Sequence, residues 1–275
     1  MKLRCAITGA SGFVGSLALK KLNTAGHDAF ALKRPWQLTN NIDVLIHCAA
    51  YIPTSYSDQL ETVKCIEDNS LATFKLLDEA EKHDIKLFIY LSSGQIYKWK
   101  NGNPEYITAS EEDAMDPIIR ACPYLISKMT GDCLVRGYKG KIQTVVLRPS
   151  SIYGLGMKPV GIIHRLINQI KNKESINIAR EDYYTDLVHV DDVVAMIKNC
   201  AENKVCGIYN VGGGNPVKTV QLAQMLANIF DTGISFQDTK TELGHPPLDI
   251  DKARQCFGYK PRRLKDNLEI YVRAL

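Results

Sequence analysis

The sequence lacks the features that would place the protein in a membrane, in a disulfide-rich secreted class or on nucleic acid. No apolar run reaches the roughly 18 residues of a membrane span, and the opening residues MKLRCAITGA are typical of a strand and a turn rather than a signal peptide. The eight cysteines include no C-x-x-C pair, which indicates buried thiols in a reducing, cytoplasmic setting. A formal net charge of +4 gives no indication of nucleic acid or an anionic membrane as partner.

What remains is an ordinary globular composition, with 45% apolar and 23% charged residues in 275. Short apolar runs alternate with helical patterns as far as IQTVVLRPS. Near-continuous apolar strands separated by helices predict an α/β fold with a doubly wound parallel sheet. After residue 154 this alternation breaks up, which predicts a first unit at 1–154 and a smaller lobe at 155–275, with some segments returning to the sheet.

A glycine-rich turn joins the first predicted strand to the first predicted helix. TGASGFVG places Gly9, Gly12 and Gly15 there. Glycines at such a turn permit a tight bend and close approach of the backbone to a phosphate, and the helix that follows offers free N–H groups. In this strand–turn–helix context the motif predicts a dinucleotide site of the Rossmann type, so residues 1–154 are the expected dinucleotide-binding domain. A merely structural turn is the alternative.

The end of the second predicted strand bears on the choice of cofactor. An acidic side chain there would bind a ribose 2′-hydroxyl, whereas a basic one would accommodate a 2′-phosphate. The chain reads ALKRP, with Lys33 and Arg34 and no acid. This predicts NADP, with NAD as the other possibility. Two solvated surface charges are the structural alternative.

A tyrosine and a lysine stand four positions apart in YLISK, at Tyr124 and Lys128. Positions i and i+4 share one face of a helix, with Cβ atoms roughly 5–6 Å apart. A phenol titrates near about 10 and transfers protons poorly at neutral pH, but a neighbouring ammonium favours its ionised form. The pair is therefore a candidate acid–base centre, or else a chance pairing on an exposed helix.

Together these motifs resemble the extended short-chain dehydrogenase/reductase family, which contains NAD-dependent nucleotide-sugar epimerases, dehydratases and 4-keto reductases. The resemblance covers nearly the whole chain and follows the family's order of motifs: TGASGFVG, VLIHCAA, DNSLATFKLLDEA, YLSSGQIY, YLISK, VVLRPSSIYG, LVHVDDVV and IYNVGGG. It implies a Rossmann-like sheet with a C-terminal substrate lobe and an NAD(P)-dependent oxidoreductase.

The resemblance also implies the roles of four residues. Tyr124 would be the catalytic acid–base and Lys128 its partner, which also binds the nicotinamide ribose. Ser93 would position the substrate oxygen, and Asn69 would hold a proton-relay water. In this reading, hydride moves between the nicotinamide and a carbinol or carbonyl carbon of the substrate.

Further site residues follow from the same resemblance. The expected cofactor-binding residues are those of the glycine turn, the end of strand two, the catalytic pair and two later strand ends: Gly9, Ser11, Gly12, Phe13, Val14, Gly15, Lys33, Arg34, Ala49, Ala50, Tyr124, Lys128, Pro149, Ser151 and Ile152. The expected substrate residues are Tyr51, Ser93, Gln95 and Arg180. No metal is expected. His47 would pack, and the acids beside His189 (Asp191 and Asp192) would cap a helix.

Three departures from the family pattern carry information. Residues 35–42 are too few for the strand and helix expected there, since one crossover unit takes roughly 30 residues. That unit belongs to the sheet's edge, so its loss predicts a viable fold with a more exposed adenine. Gly94 and Gln95 stand where dehydratases carry an Asp-Glu pair, which argues against dehydration. Thr185 replaces an arginine that grips a pyrophosphate in many relatives, and Arg180, Lys158 or His245 would have to substitute.

The leading hypothesis is therefore an NADP-dependent reductase of a keto group on a nucleotide-linked deoxysugar. The alternatives are a 4-epimerase with tightly bound NAD, a reductase of a non-sugar carbonyl, and a non-catalytic protein that kept the fold. A homodimer through the helices at 68–83 and 123–138 is a further hypothesis, although core packing explains their apolar residues equally well.

Overall fold

The computed structural model describes residues 1–54, 58–98, 108–116, 122–178, 184–238 and 246–275. In chain order its strands are β1 (Arg4–Thr8), β2 (Asp28–Leu32), β3 (Val44–His47), β4 (Leu87–Leu91), β5 (Gln143–Pro149), β6 (Ser151–Tyr153), β7 (Ile176–Ile178), β8 (Tyr184–Thr185), β9 (Leu187–His189), β10 (Gly207–Val211), β11 (Val217–Lys218) and β12 (Phe236–Asp238). Its α-helices are α1 (Phe13–Thr24), α2 (Gln59–Cys65), α3 (Ala72–Lys82), α4 (Pro123–Arg136), α5 (Gly161–Lys171), α6 (Val190–Asn203), α7 (Thr219–Ile229), α8 (Asp251–Phe257) and α9 (Leu264–Arg273).

Six strands form one parallel sheet in the order β10-β5-β4-β3-β1-β2. The register places Thr8 beside Leu32 and His47, and Leu91 beside Leu147. The carboxyl ends of these strands therefore meet at one edge, where open α/β sheets bind their ligands. The predicted α/β fold with a Rossmann-like parallel sheet is confirmed.

Helices cover both faces of the sheet. Residues of α1 and α6 pack with the strands in one apolar cluster, and residues of α3 and α4 pack in another on the opposite face. The inner strands β1, β3, β4 and β5 are accordingly buried along most of their length, which explains their continuous apolar sequence. No helix among the described residues has the length and apolar character to cross a bilayer.

The expected loss of an edge strand and its helix is confirmed. Residues 33–43 contain neither a strand nor a helix, and β2 is the edge strand. Leu38 and Ile42 from this segment are buried in the cluster on the α3 face. A short extended segment thus covers part of the face that the missing unit would cover.

The helix predicted at 68–83 begins earlier than the sequence pattern indicated. The Asp58 side chain accepts a hydrogen bond from the Leu60 N–H at 2.8 Å and starts α2 at Gln59. Between α2 and α3 lies one π-helical turn, Ile66–Leu71, which buries Asn69. Such turns interrupt α-helices mostly as single turns and are frequent at functional sites.

A separate apolar cluster lies in the C-terminal part of the chain, formed largely by α5, α7 and α9. The short strand pairs β6-β9, β8-β11 and β7-β12 accompany it. β10 and α6 come after residue 155 in sequence, yet they belong to the central sheet and its helix layer. A division into a dinucleotide domain at 1–154 and a substrate lobe at 155–275 stays a proposal.

Candidate active site

The glycine turn forms a cradle that side chains would fill. Gly9 has φ +67°, and a Cβ atom there would lie 2.7 Å from the Ala49 nitrogen. A Cβ at Gly15 would lie 2.2 Å from the Gly9 carbonyl oxygen. Helix α1 begins directly behind this turn, and its first N–H groups have no intrahelical acceptor. The cradle and the helix N-terminus fit the pyrophosphate of a dinucleotide.

His47 at the end of β3 is a structural residue rather than a chemical one. Its ring lies 2.6 Å from the Thr8 hydroxyl through Nδ1 and 3.0 Å from the Thr73 hydroxyl through Nε2. Burial lowers the pKa of His47 to about 3, with the charges of Lys128 and Arg34 acting in the same direction. The ring is therefore neutral and joins β1, β3 and α3.

Lys33 and Arg34 lie exposed where β2 ends. The Arg34 guanidinium forms an ion pair with Asp68 of the π turn and lies over the Trp36 ring at 4.6 Å. Neither contact could be anticipated from the spacing of the residues. A cation is thus present at the end of β2, and it already has an acidic partner.

Helix α4 carries the tyrosine and the lysine. Tyr124 is half-buried in its first turn, and Lys128 is 2% exposed. The Lys128 ammonium donates to the Leu91 carbonyl at 2.5 Å and lies 4.2 Å from the centre of the Tyr90 ring. Lys128 therefore reaches the end of β4, one residue before Ser92 and two before Ser93.

Burial is the largest cause of the pKa shifts of Lys128 and of the neighbouring Tyr90. It lowers the pKa of Lys128 to about 7, although Cys48 and Asp132 oppose the shift. Burial also raises the pKa of Tyr90 well above its ordinary value, and Tyr124 is the next cause. The Lys128 ammonium and the Tyr90 phenol therefore lie together in a region of low polarity at the end of β4.

Asn69 ties three parts of the site together. Its Oδ1 accepts the Tyr51 N–H at 2.6 Å, and its Nδ2 donates to the Tyr51 carbonyl at 2.8 Å and to the Ser127 hydroxyl at 3.0 Å. The Ser127 hydroxyl donates in turn to the Tyr124 carbonyl at 2.7 Å. Both amide hydrogens are therefore used within the protein, and the expected role of Asn69 in holding a relay water stays a prediction.

Ser93 and Gln95 lie at the turn after β4. The Ser93 hydroxyl accepts the Gln95 N–H at 3.1 Å, and the Gln95 amide donates to the Ser151 hydroxyl at 3.3 Å. A Cβ at Gly94 would lie 2.7 Å from a Leu248 methyl carbon. A carboxylate side chain at position 94 would therefore require Leu248 to move.

A buried ion pair under the site escaped the sequence analysis. Arg148 donates to both carboxylate oxygens of Asp132, at 2.9 and 2.8 Å, and to the Tyr97 hydroxyl at 2.7 Å. The Ser92 hydroxyl also donates to Asp132, at 2.7 Å. An arginine inside an apolar strand, and an aspartate one helical turn after Lys128, were the signals that could have identified it.

The end of β5 is joined to the lobe through backbone contacts. Ser151 N–H donates to the Asp186 carbonyl at 3.1 Å, while the Asp186 carboxylate accepts the N–H groups of Gly213 and Leu248 at 2.8 and 3.0 Å. Pro149 is buried, and Ile152 is half-buried beside it. These strand-end residues lie along the same sheet edge as the glycine turn, and their contact with a cofactor stays a prediction.

The acids after His189 do not cap α6 as expected. The His189 side chain is the cap, since its Nδ1 accepts the Asp191 N–H at 3.2 Å. The Asp192 carboxylate instead accepts the backbone N–H and the guanidinium of Arg262, at 2.8 and 2.6 Å. Within the described ranges no group of His, Cys, Asp and Glu residues could hold a metal ion.

The structure thus brings several of the predicted site residues together. The glycine turn approaches Ala49 after β3, Asn69 joins Tyr51 to Ser127 of α4, and Lys128 reaches the Leu91 carbonyl two residues before Ser93. Arg180, together with His245, lies outside the described residues. Thr185 is described, and its hydroxyl lies 3.4 Å from the Thr219 hydroxyl.

Comparisons with known proteins give a family and a fold. The protein-family model described as "NAD dependent epimerase/dehydratase family" matches residues 5–212 of the chain. The chain is 25% identical to "Uncharacterized UDP-glucose epimerase YtcB" of Bacillus subtilis, with 97% of this chain and 96% of the relative covered. It is 27% identical to the "GDP-6-deoxy-D-mannose reductase" of Pseudomonas aeruginosa, with 93% and 87% covered.

Two solved structures share the fold. One is the UDP-glucuronic acid 4-epimerase from Bacillus cereus in complex with UDP-glucuronic acid and NAD, at TM-score 0.82 and 23% identity, with 99% of both chains covered. The other is RMD from Pseudomonas aeruginosa complexed with NADPH, at TM-score 0.80 and 22% identity, with 99% of this chain and 98% of that chain covered.

Proposed function

The chain belongs to the NAD dependent epimerase/dehydratase family, and we propose that within this family it is an NADP-dependent reductase. Its substrate would be a nucleotide-linked deoxysugar with a keto group. The observation that carries the proposal is the end of β2, where Lys33 and Arg34 are exposed and the strand end itself supplies no acid. A basic strand end suits NADP, and a freely exchanging NADPH suits a net reduction. The family's relatives named above include a reductase.

The residues around the sheet edge would hold the cofactor. The backbone of the glycine turn and the start of α1 would bind the pyrophosphate, Arg34 the 2′-phosphate, and Lys128 the nicotinamide ribose. Ala49, Ala50 and the segment Pro149–Ile152 would line the remaining crevice. When bound, the nicotinamide supplies the hydride, and the protein supplies the geometry and the electrostatics.

The chain's own residues would manage the proton. The Tyr124 phenol would donate its proton to the keto oxygen, which the Ser93 hydroxyl orients by a hydrogen bond. An ammonium nearby favours an ionised phenol, so the Lys128 charge would stabilise the phenolate that this donation leaves. Asn69 would keep α4 and the Tyr51 segment in register while the substrate is bound. Arg180 and Gln95 stay proposed substrate contacts.

The packing of Gly94 supports reduction rather than dehydration. An acid at that position would clash with Leu248, which lies against the glycine, and Gln95 is not ionisable. The two positions that follow the serine therefore offer no acid–base pair for an elimination.

The test is consumption of NADPH, followed at 340 nm, with a set of 4-keto-6-deoxy nucleotide sugars. We expect turnover with at least one of them and a loss of about 10²–10⁴-fold in kcat for Tyr124→Phe. Binding of NADPH should persist in that variant. Flat traces with all the sugars, or full activity without the phenol, would contradict the proposal.

A 4-epimerase with tightly bound NAD is the second candidate. The Arg34–Asp68 ion pair favours it, because an acid close to the end of β2 is what a ribose 2′-hydroxyl prefers. A relative named as an epimerase is also similar over almost the whole chain. The freshly purified protein would then contain NAD at one equivalent per chain, which denaturation and chromatography of the released nucleotide would measure.

A further inference from the structure

The contact between Arg34 and Asp68 joins two elements that are 34 residues apart in the chain. Arg34 lies at the end of β2, and Asp68 lies in the π turn immediately before Asn69. One guanidinium nitrogen contacts the Asp68 carboxylate, and the other lies 3.4 Å from its backbone carbonyl. The side chains are 49% and 22% exposed, so both can be reached from solvent. The pair is therefore accessible to a ligand at this end of the sheet edge.

The guanidinium is also held from one side. Arg34 lies over the Trp36 ring at 4.6 Å, and Trp36 itself meets the buried His47 ring edge-on at 5.4 Å. Stacking on an aromatic face fixes the plane of an arginine while its N–H groups stay available for an anion. Loss of the Asp68 carboxylate would therefore leave Arg34 close to its present position.

The two partners of this ion pair prefer different cofactors. A guanidinium binds a 2′-phosphate, whereas a carboxylate accepts a hydrogen bond from a 2′-hydroxyl and repels a phosphate. In most Rossmann-type sites the end of the second strand supplies one type or the other. Here the strand supplies the base and the π turn supplies the acid, and each neutralises the other.

We propose that Asp68 determines how strongly the protein discriminates between NADP and NAD. The carboxylate competes with the 2′-phosphate of NADP for Arg34 and offers an acceptor to the ribose of NAD. This inference rests on the proposed dinucleotide function and goes beyond it by naming the residue that limits the preference for NADP. The wild-type protein would accordingly bind both cofactors with a modest preference.

Isothermal titration of the full-length protein with NADPH and with NADH tests this directly. For Asp68→Asn we expect NADPH to bind about threefold to tenfold more tightly, the scale of one partly exposed charge contact, and NADH to bind no more tightly than before. For Arg34→Met we expect NADPH to lose affinity by about tenfold or more, and NADH to bind as well as or better than before, since the carboxylate is released.

Glu67→Gln is the matched control, because it removes an exposed acid from the neighbouring position of the same π turn. Its ratio of the two dissociation constants should equal that of the wild type. Thermal unfolding of each variant would establish that it is folded, and Arg34→Met tests the same inference if Asp68→Asn fails to fold.

The inference is wrong if Asp68→Asn leaves the ratio of the dissociation constants within twofold of the wild type, or if Arg34→Met weakens both cofactors equally. Those outcomes leave the proposed reductase intact. Failure of the wild-type protein to bind either cofactor would overturn both the inference and the proposed function.

Discussion

Lys128 is the residue at which function and stability oppose each other most directly. It is almost fully buried, and among the described residues its ammonium donates one hydrogen bond, to the Leu91 carbonyl. Burial of a charge with so little compensation is unfavourable, which is why its pKa falls to about 7. A lysine that served only the fold would be poorly placed here. A lysine that assists proton transfer at Tyr124, as proposed, would benefit from this position, because its charge acts more strongly on a neighbouring phenol in a region of low polarity.

Replacement of Lys128 should therefore stabilise the protein in a pH-dependent way. Between pH 7 and about 10.4 the unfolded lysine keeps its proton while the folded one loses it. The unfolding free energy contributed by this group then rises with pH by about 1.4 kcal/mol per unit. Below pH 7 the lysine is protonated in both the folded and the unfolded state, so the free-energy cost of burying its ammonium is largest there and does not change with pH. We expect Lys128→Met to be more stable than the wild type at pH 6.5, with the difference shrinking between pH 7 and 9.

Urea unfolding of the cofactor-free protein at several pH values measures this difference. Lys86→Met, at an exposed lysine, is the control against which the pH dependence of Lys128→Met is compared. A gap between Lys128→Met and wild type that stays constant from pH 6.5 to 9 would show that the buried ammonium does not titrate in this range. The same variant should lose catalytic activity, as the proposed mechanism requires.

At the scale of elements, the site depends on how closely α4 approaches β4. The approach is permitted by Gly131, where a Cβ atom would lie 2.4 Å from the Tyr90 hydroxyl and 3.1 Å from the Asn69 carbonyl. Tyr90 is fully buried and cannot move aside. Gly131 therefore sets the distance at which Lys128, one turn earlier, reaches the Leu91 carbonyl.

Gly131→Ala has two opposed effects on stability. Alanine in a helix interior is favoured over glycine by about 1 kcal/mol, but overpacking against Tyr90 costs about 1–3 kcal/mol. We expect the clash to prevail and the variant to be less stable than the wild type. In a Tyr90→Phe background the closest atom is removed, so the same substitution should destabilise the protein less, although the Asn69 carbonyl still lies 3.1 Å from the new Cβ.

A double-mutant cycle from chemical unfolding of the four proteins measures this coupling. We expect an interaction free energy of about 1–2 kcal/mol between the two positions, as for residues in direct contact. Additive effects of the two substitutions would mean that the helix and strand can separate at little cost. The position of Lys128 would then depend on other contacts.

The sequence predicted the order of elements and the glycine turn because both depend on local patterns. Apolar runs and turn glycines are properties of a few neighbouring residues, and Gly9 and Gly15 had to be glycine for reasons that the strand–turn–helix context already contains. The loss of the edge unit was predictable from length alone. The prediction that Asp191 and Asp192 cap α6 was wrong, because the His189 side chain is the cap.

The contacts that were missed join residues distant in the chain. Asp68 meets Arg34, Leu248 packs on Gly94, and Asp132 pairs with Arg148 only after the sheet order is fixed. The π turn that buries Asn69 has no pattern of its own, since it differs from an α-helix by a single inserted residue. The candidate site residues could thus be proposed from local motifs, whereas their electrostatic setting required the fold.

For the molecule as a whole, the outer face of α2 and of the helices beside it is an exposed apolar surface. Large apolar side chains are exposed there at Leu60 (80%), Val63 (53%), Leu71 (46%) and Ile126 (37%). They lie on α2, the π turn and α4, around the helices that the family resemblance assigns to a dimer interface. The same elements carry the buried Asn69 and the half-buried Tyr124, so a partner on this face would brace the site.

We expect the protein to be a homodimer through this face, with two-fold symmetry placing each helix pair against its copy. Light scattering coupled to size-exclusion chromatography should give twice the mass of one chain. A Leu71→Glu/Ile126→Glu double variant should be monomeric, because charges in the centre of an apolar interface remain desolvated and unpaired. Ile270→Glu, which changes an exposed isoleucine on α9, should leave the dimer intact. A wild-type protein that elutes with the mass of a single chain at micromolar concentration would refute this assembly, and the exposed face would then need a different partner.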